Sequence, residues 1–436
     1  MLRAGSAEAA PTSLDLFNVP PSQAAIVKRG IVEYHPVATL DDHGPIEFDI
    51  PASETSYTDW NDHTLRLKVK ITNGDGTALA ADERVAFENY ALHNLFSRVD
   101  VSINGKVIST PSETYPYKVV LEKDLSFKAS AKTTQFQREI YAKNTPGNLE
   151  LTVVDPANAH NSGFLERKKL TATSTEVHLR GQLHVDLFMQ ERLLPNRLAV
   201  RVKLSRSKPE FCLLGVVKAF KVKILEAVLE TTSVELSPSI LNQHNARLNR
   251  GERMKIPIRR TDTKVFNIPR GNLSVVKESI ISGQLPKRCV VGFVETEAFQ
   301  GKISKCFHNF KHFNLNHLAL TVDNQQFPSP RAFTPDFANK DYLRCYESIL
   351  TGTGIRGDNR SLEISLDSYA KGHTLYMFNL SPSEPDCFAT DLIRNGSIRL
   401  EARFSEALAA PVTGILFCEY DSVIEIDRDR VPHLDY

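Results

Sequence analysis

Four side chains that can bind a metal ion lie close together in the second half of the chain. Cys306, His308, His312 and His317 fall within a stretch of twelve residues. A zinc site needs several nitrogen, sulfur or carboxylate ligands that converge on one point. The phenylalanines between these residues interrupt any regular spacing, so the pattern favours an aromatic core with histidines on the surface. We therefore expect neither a metal site nor a cofactor site here.

Two short motifs overlap further along the chain. Gly352, Gly354 and Gly357 match the G-x-G-x-x-G pattern of dinucleotide-binding loops, but such a loop must follow a strand and open a helix. Here the pattern follows a predicted helix, so we expect a loop without a phosphate site. Arg356-Gly357-Asp358 spells the integrin-binding tripeptide in the same loop. We keep it as a hypothesis for an exposed attachment motif, since three residues recur easily by chance.

The most basic stretch of the chain contains five cations and one opposing carboxylate, Asp262. An excess of positive charge on one strand suits the inner face of a container for DNA, bound without sequence preference. The alternative interpretation is a solvated strand face. The five residues are Lys255, Arg259, Arg260, Lys264 and Arg270.

Bulk properties exclude several classes of protein. The 436 residues carry a net charge of +1, which argues against a protein that mainly coats nucleic acid. The six cysteines form no C-x-x-C pair, and residues 1–13 lack the apolar core of a signal peptide, so we expect reduced thiols. No segment approaches the roughly 20 apolar residues of a membrane span. No Ser-His-Asp, G-x-S-x-G or H-E-x-x-H pattern occurs, so we expect no catalytic residues and no enzyme.

The elements that would position these residues form a repeat. Segment 99–106, which includes the hairpin dipeptide Asn104-Gly105, recurs as 318–325. Segment 180–188 recurs as 371–379, and 193–201 recurs as 392–400, with offsets of roughly 190 to 220 residues. A helix predicted at 117–125 has a counterpart at 337–350. Two copies of one all-β unit are typical of a structural scaffold.

Strand signals dominate both copies, and another short helix is predicted at 85–97. The sequence therefore predicts an all-β protein of two tandem jelly-roll (β-sandwich) domains. Ser237 followed by Pro238 indicates a helix start, and Gly251 suits its end. The expected organisation is a flexible N-terminal arm at 1–24, a first jelly roll at 25–236, a linking helix at 237–251, and a second jelly roll with the C-terminal tail at 252–436. The alternating segments that predict strands are 47–50, 64–71, 99–103, 177–188, 197–204, 219–229, 290–294, 318–322, 374–379, 397–404 and 414–426.

Motifs spread over nearly the whole chain resemble the major capsid proteins of Polinton/Maverick elements and adintoviruses. In the first half they are Leu16-Phe17-Asn18-Val19-Pro20-Pro21, Glu33-Tyr34-His35-Pro36, Gly44-Pro45-Ile46-Glu47-Phe48 and Ser112-Glu113-Thr114-Tyr115-Pro116-Tyr117. In the second half they are Ser237-Pro238-Ser239-Ile240-Leu241, Gly283-Gln284-Leu285-Pro286-Lys287-Arg288, Asn309-Phe310-Lys311-His312, Pro335-Asp336-Phe337, Gly352-Thr353-Gly354 and Ile424-Glu425-Ile426-Asp427-Arg428.

The resemblance implies a double jelly-roll capsid protein whose homotrimers form pseudo-hexagonal capsomers of an icosahedral shell around double-stranded DNA. The implied partners are further copies of the chain, a penton or minor capsid protein at the vertices, and the packaged DNA. The implied location is the virion capsid, after synthesis in the host cytoplasm and assembly there or in the nucleus. Two alternatives remain open: a β-sandwich protein that binds a ligand or receptor, and a cupin-like enzyme, although neither repeat shows the histidines and glutamates that a cupin requires.

Overall fold

Strands make up most of the regular structure, with short helices between them. The structure is a computed structural model that describes residues 12–153, 160–357, 360–382 and 390–434. The strands of the first half are β1 (Ile26–Tyr34), β2 (Ile46–Ile50), β3 (Ser56–Asn73), β4 (Val85–Phe87), β5 (Phe96–Ile103), β6 (Lys106–Val107), β7 (Val177–Gly181), β8 (Val200–Arg206), β9 (Leu213–Gly215) and β10 (Phe220–Leu236). Those of the second half are β11 (Met254–Ile268), β12 (Ser274–Gln284), β13 (Arg288–Glu295), β14 (Leu315–Val322), β15 (Gln325–Phe327), β16 (Leu375–Asn379), β17 (Asn395–Phe404), β18 (Val412–Ile426) and β19 (Pro432–Leu434).

The helices are short and lie mostly between strands. The α-helices are α1 (Ala91–Asn94), α2 (Tyr115–Ser126), α3 (Ala129–Thr133), α4 (Ser162–Thr171), α5 (Pro209–Cys212), α6 (Pro238–Asn249), α7 (Thr296–Phe299), α8 (Leu343–Gly352) and α9 (Leu366–Ala370). Segments of 3₁₀-helix occur at Thr12–Leu14, Gln135–Glu139 and Ala172–Ser174.

The two halves contain sheets with the same strand order. In the first half, one sheet runs β1-β10-β3-β7 and the other β2-β8-β5-β6. In the second half, the corresponding sheets run β11-β18-β13-β16 and β12-β17-β14-β15, and β19 extends β18. Each half is therefore an eight-stranded antiparallel sandwich, a jelly roll. We call these sandwiches the first lobe and the second lobe, and together they confirm the predicted fold class.

Each lobe is held by strands that bury one face. Along β3, Leu65, Leu67 and Val69 are fully buried, whereas the alternate positions Arg66 and Lys68 point outward. This period of two is what a half-buried strand requires. Full burial of each such aliphatic side chain contributes about 1.5–3 kcal/mol.

The hairpin that marked the repeat is present in both lobes. In the first, Ile103 pairs with Lys106 across Asn104 and Gly105, whose φ values are 47° and 81°. In the second, the residues between β14 and β15 are Asp323 and Asn324, with φ values of 46° and 68°. Positive φ at both central positions is the mark of the tight turn that matches strand twist. The structure thus confirms this part of the internal alignment.

The lobes meet at a buried junction. Helix α2 follows the hairpin of the first lobe, and its Tyr117 stacks on Phe299 of the second lobe with ring centroids 5.4 Å apart. Conversely, Ile256 and Ile258 of β11 pack in the core of the first lobe. Helix α6 connects β10 to β11 between residues 236 and 254. Each lobe therefore completes the hydrophobic core of the other.

Two sequence predictions were wrong in detail. The segment 85–97 is not one helix: β4 pairs with β9, and Tyr90 adopts a left-handed φ of 59° before the single turn of α1. The pairing of a fully buried apolar run overrides local helix propensity. The predicted repeat aligns 193–201 with 392–400 and so matches Val200 to Arg399. In the structure, Val200 pairs with Ile103, and Ile398 pairs with Val322, which is equivalent to Ile103 in the second lobe. Val200 therefore corresponds to Ile398, one residue earlier than predicted. A one-residue slip exchanges the two faces of a strand.

Candidate assembly surfaces and buried polar clusters

The N-terminal segment before β1 carries several strongly exposed apolar side chains. Leu16, Phe17 and Val19 are 77%, 97% and 88% exposed, although they precede the first strand. Val27 and Ile31 extend this apolar surface along β1, which lies at the edge of its sheet. Exposed apolar side chains of this kind are common at interaction sites, and an edge strand offers unpaired backbone groups.

The predicted basic residues lie on and just after one strand. Lys255, Arg259, Arg260 and Lys264 belong to β11, the edge strand of its sheet, and Arg270 follows the end of this strand. Lys255, Arg259 and Lys264 are exposed, and Arg260 is half-buried. Four of the five residues lie on this edge strand, but Lys255 and Arg259 point to one face of the sheet, whereas Arg260 and Lys264 point to the other. Whether DNA lies against the strand stays a prediction.

Carboxylates of the neighbouring strand partly neutralise this basic edge. The Lys255 ammonium lies 3.4 Å from Glu425, and the Arg259 guanidinium lies 4.0 Å from Glu419. Lys264 pairs with Asp262 at 2.8 Å. Glu425 and Glu419 lie on β18, about 160 residues along the chain, and only the sheet pairing brings them to β11. Asp262 is visible in the sequence beside these cations, whereas Glu419 and Glu425 are distant from them along the chain.

The Arg-Gly-Asp motif follows the end of α8. Gly352 is the last residue of that helix, so the glycine pattern follows a helix as expected. Arg356 is 68% exposed and pairs with Glu347 at 2.8 Å, and Gly357 is exposed. Asp358 lies outside the described residues. The attachment role of this motif stays a prediction.

A buried charged network lies beside the junction. The Lys123 ammonium of α2 forms an ion pair with Glu139 and lies 2.9 Å from the His93 imidazole. Burial alone would raise the pKa of Glu139, but Lys123 and His93 lower it to about 2. Burial lowers the pKa of His93 to about 3, so this imidazole is neutral. The network therefore keeps a carboxylate ionised inside the protein.

A second buried cluster joins the two lobes. Glu88 follows β4 of the first lobe, whereas Cys306 and His308 lie between α7 and β14 of the second lobe. One ligand atom from each residue lies within 4.8 Å of the other two. His308 is buried, which corrects the expectation of a surface histidine. His312 stacks on Phe337, and His317 lies half-buried on β14, so neither joins Cys306 and His308 in this three-residue group.

An open groove separates the lobes beside α6. It encloses about 810 Å³ and is lined on one side by Tyr57 and Leu193 of the first lobe and on the other by Met254 and Ile256 of the second. His244 of α6 completes the wall and hydrogen-bonds the Tyr57 hydroxyl at 2.8 Å. The groove has the size of a ligand site, and much of its lining is charged, with Arg192, Arg247, Arg253 and Lys255 beside Glu252 and Glu425.

The chain is therefore a double jelly roll, with two sandwiches of the same strand order in tandem. Three solved structures share it over nearly their full length. A chain of the Sputnik virophage has a TM-score of 0.62 and 11% identity, and covers 99% of this chain and 93% of its own. The Faustovirus major capsid protein has a TM-score of 0.56 and 10% identity, over 96% and 95% of the two chains. The mavirus major capsid protein has a TM-score of 0.54 and 14% identity, over 100% and 96%.

The chain therefore shares its fold with the major capsid proteins of Faustovirus and mavirus. Among curated proteins, the uncharacterized protein F54H12.2 of Caenorhabditis elegans is 21% identical over 406 residues, which cover 90% of this chain and 93% of the relative. No protein-family model matches the sequence. Among the described residues, no helix is long and apolar enough to cross a membrane.

Proposed function

We propose that this chain is the structural major capsid protein of a Polinton/Maverick- or adintovirus-like DNA element. The observation that carries the proposal is the duplicated sandwich: two lobes with one strand order span the chain, as in the viral major capsid proteins that share the fold. The capsid motifs distributed along both lobes support the particular lineage. The nematode relative of similar length supports a gene carried in an animal genome, either by the element or as a retained copy.

The duplication gives the proposed capsomer its shape. Three chains of two similar lobes place six lobes around a threefold axis, and this outline tiles a closed shell as a hexagon would. The trimer is formed by one heterologous interface repeated around the axis until it closes. Permanent interfaces of this type commonly bury more than about 2,000 Å². The exposed apolar side chains of the N-terminal segment and of β1 supply surface for contacts between copies.

The remaining partners follow from the same proposal. Neighbouring capsomers would meet side by side, and a separate penton or minor capsid protein would fill the vertices. The net charge of +1 suits thousands of chains packed together without strong mutual repulsion. We assign the basic edge of β11 to the inner surface, where Lys264 and Arg270 would contact DNA non-specifically. In this role the protein is not an enzyme, and its place is the virion.

The test is the mass and outline of the purified full-length protein. Light scattering should give three times the 48.8 kDa chain mass, and negative-stain images should show particles with a hexagonal outline. Phe17→Asp, which places a charge in the exposed apolar segment, should impair association between copies. The matched control Thr175→Asp, at an exposed polar position, should leave it intact.

A stable monomer at all protein concentrations would contradict the capsomer. Such a monomer, together with saturable binding of a small molecule in the groove beside α6, would favour a β-sandwich binding protein instead. Because assembly depends on concentration, the mass has to be measured over a dilution series.

A further inference from the structure

The cluster of Glu88, Cys306 and His308 has a ligand set that no part of a capsid role requires. The three side chains are 0%, 0% and 5% exposed, so solvent does not satisfy their polar atoms. A carboxylate, a thiol and an imidazole together form a mixed oxygen, sulfur and nitrogen donor set. Zn²⁺ accepts all three ligand types, and thiolate with imidazole favours it over Mg²⁺ or Ca²⁺.

The spacing within the cluster fits one ion. The Cys306 sulfur lies 3.4 Å from Nδ1 and 3.5 Å from Nε2 of His308. In a tetrahedral zinc site, bond lengths of about 2.3 Å to sulfur and about 2.0 Å to nitrogen place those two atoms about 3.5 Å apart. The separation of the sulfur from one nitrogen fits a shared ion. Such an ion would leave the other ring nitrogen about 5 Å from the sulfur, so the imidazole must rotate to aim a lone pair at the metal.

The carboxylate of Glu88 points to a missing partner. Within the described residues, neither of its oxygens makes a well-formed hydrogen bond, although the Cys306 thiol and the Asn89 amide face the carboxylate. The nearest cation is the Arg167 guanidinium, whose Nη2 lies 3.8 Å away. A buried carboxylate with so little compensation is costly, unless it takes up a proton or binds a cation.

Arg167 is held mainly by neutral oxygens, although within the described part of the chain its Nη2 makes no hydrogen bond and faces Glu88. Its Nε donates to the carbonyl oxygen of Phe87, and its Nη1 donates to Asn89, Ala142 and Asn144. These neutral oxygens hold the guanidinium in place. The carboxylate is therefore available to bind a metal ion, with Arg167 beside it as an outer-shell cation.

We propose that Glu88, Cys306 and His308 bind one Zn²⁺ ion, with water as the fourth ligand, and that this ion cross-links the two lobes. Binding releases the thiol proton of Cys306, and the resulting thiolate and the Glu88 carboxylate balance the two charges of the ion. The link joins residues more than 200 positions apart, so it restricts separation of the lobes. This role is independent of trimer formation.

Metal content of the purified full-length protein tests the proposal. Protein expressed with added zinc should contain about one zinc ion per chain by elemental mass spectrometry, since one site is proposed. Cys306→Ser and His308→Gln should each reduce this content to near zero. The matched control Cys345→Ser changes another buried cysteine, in α8 of the second lobe, and should retain the ion.

Two further measurements protect the test from variants that fail to fold. Wild-type protein loaded with Co²⁺ should show the thiolate-to-cobalt charge-transfer absorption, and a chelator should lower the thermal midpoint of the zinc-loaded protein. Zinc-free wild-type protein with an unchanged midpoint in added zinc, and no charge-transfer band with cobalt, would overturn the proposal. It would leave Glu88 as a buried carboxyl group between Arg167 and the Cys306 thiol. Both readouts are independent of whether the protein forms trimers.

Discussion

The helices that follow the hairpin in each lobe occupy equivalent places in the sequence but different environments. In α2, nine of twelve residues are buried, including Lys123 and Asp124. In α8, three of ten are buried: Cys345, Ile349 and Gly352. Helix α2 lies between β5 of its own lobe and β11 of the other, whereas α8 packs on β16 alone among the strands that it contacts closely. Duplication therefore preserved the sheets, and the junction gave the two helices different roles.

This difference explains where the buried charges lie. A helix covered on all sides cannot turn its polar residues to water, so they must find partners inside the protein. Lys123 of α2 pairs with Glu139, and Lys132 pairs with Asp124 at 2.6 Å. Helix α8 instead places Arg344 at its edge, where the guanidinium donates to the carbonyl oxygen of Ala332 at 3.0 Å. The charged network is a consequence of joining two sandwiches through one helix.

The largest expected effect comes from breaking that network on one side. Lys123→Met should lower the free energy of unfolding by about 3–5 kcal/mol, because Glu139 stays buried without its partner. Urea unfolding can be followed by the fluorescence of Trp60, the single tryptophan of the chain, together with circular dichroism. Lys371→Met, which removes an exposed pair with Asp367, is the matched control and should leave the unfolding midpoint nearly unchanged.

The double variant Lys123→Met with Glu139→Leu separates a lost pair from lost packing. Replacing both charges by apolar side chains should recover most of the stability. If the single variant were as stable as the wild type, the ionised pair of Lys123 and Glu139 would not stabilise α2 at the junction. If the double variant recovered nothing, packing around the Lys123 stem would be the cause.

An intermediate loss of folding stability is expected at acidic pH, and it should arise from a histidine in the sheets of the first lobe. His63 of β3 accepts a hydrogen bond from the Leu183 amide at 2.7 Å through Nε2, and its Nδ1 donates to the Trp60 carbonyl oxygen. Burial lowers its pKa from 6.5 to about 4. A folded-state pKa below the unfolded value gives stability that is present above pH 6.5 and lost as the pH falls toward 4, by about 3 kcal/mol.

The variant His63→Gln should therefore flatten the acid side of the stability curve between pH 6.5 and 4. His178→Gln is the matched control, since His178 is exposed on β7 of the same lobe. Stability is measured by urea unfolding at each pH with Trp60 fluorescence. An unchanged slope in His63→Gln would place the acid sensitivity at the junction, where His93 and His308 also have pKa values lowered by burial.

The sequence predicted the repeated parts of the fold better than the junction. The Asn104-Gly105 hairpin and the alternation along β3 are local signals, and both appear as expected. The helix at 85–97 failed because pairing with β9 decides the structure there. Strand β1 was missed, since its exposed apolar residues do not alternate with polar ones in the usual way.

The candidate sites, too, were predicted only where their residues lie close together in the sequence. Five cations within sixteen residues identify the basic edge from the sequence alone. Their partners Glu419 and Glu425 are set by the pairing of β11 with β18, which local sequence does not reveal. Likewise, Cys306 and His308 were visible as metal-binding residue types, but Glu88 comes from the other lobe. His312 and His317, which are nearest in sequence, lie outside this three-residue group.

The smallest effect on stability should come from two buried tyrosines, one on α2 and one on β16, the strand on which α8 packs. Among the described residues, the hydroxyls of Tyr117 on α2 and Tyr376 on β16 have no hydrogen-bond partner. Removing an unsatisfied hydroxyl relieves a desolvation penalty, so Tyr117→Phe and Tyr376→Phe should each raise stability, by up to about 1 kcal/mol. Tyr115→Phe is the control with opposite sign, because the Tyr115 hydroxyl accepts from the His184 amide at 3.2 Å.

Thermal unfolding of the three phenylalanine variants would show whether the junction differs from a lobe interior in this respect. Equal gains for Tyr117→Phe and Tyr376→Phe would mean that burial alone sets the penalty. A loss at Tyr117 with a gain at Tyr376 would mean that a water molecule reaches the junction and satisfies the Tyr117 hydroxyl. In that case the junction contains ordered water beside α2, within the core that the two lobes share.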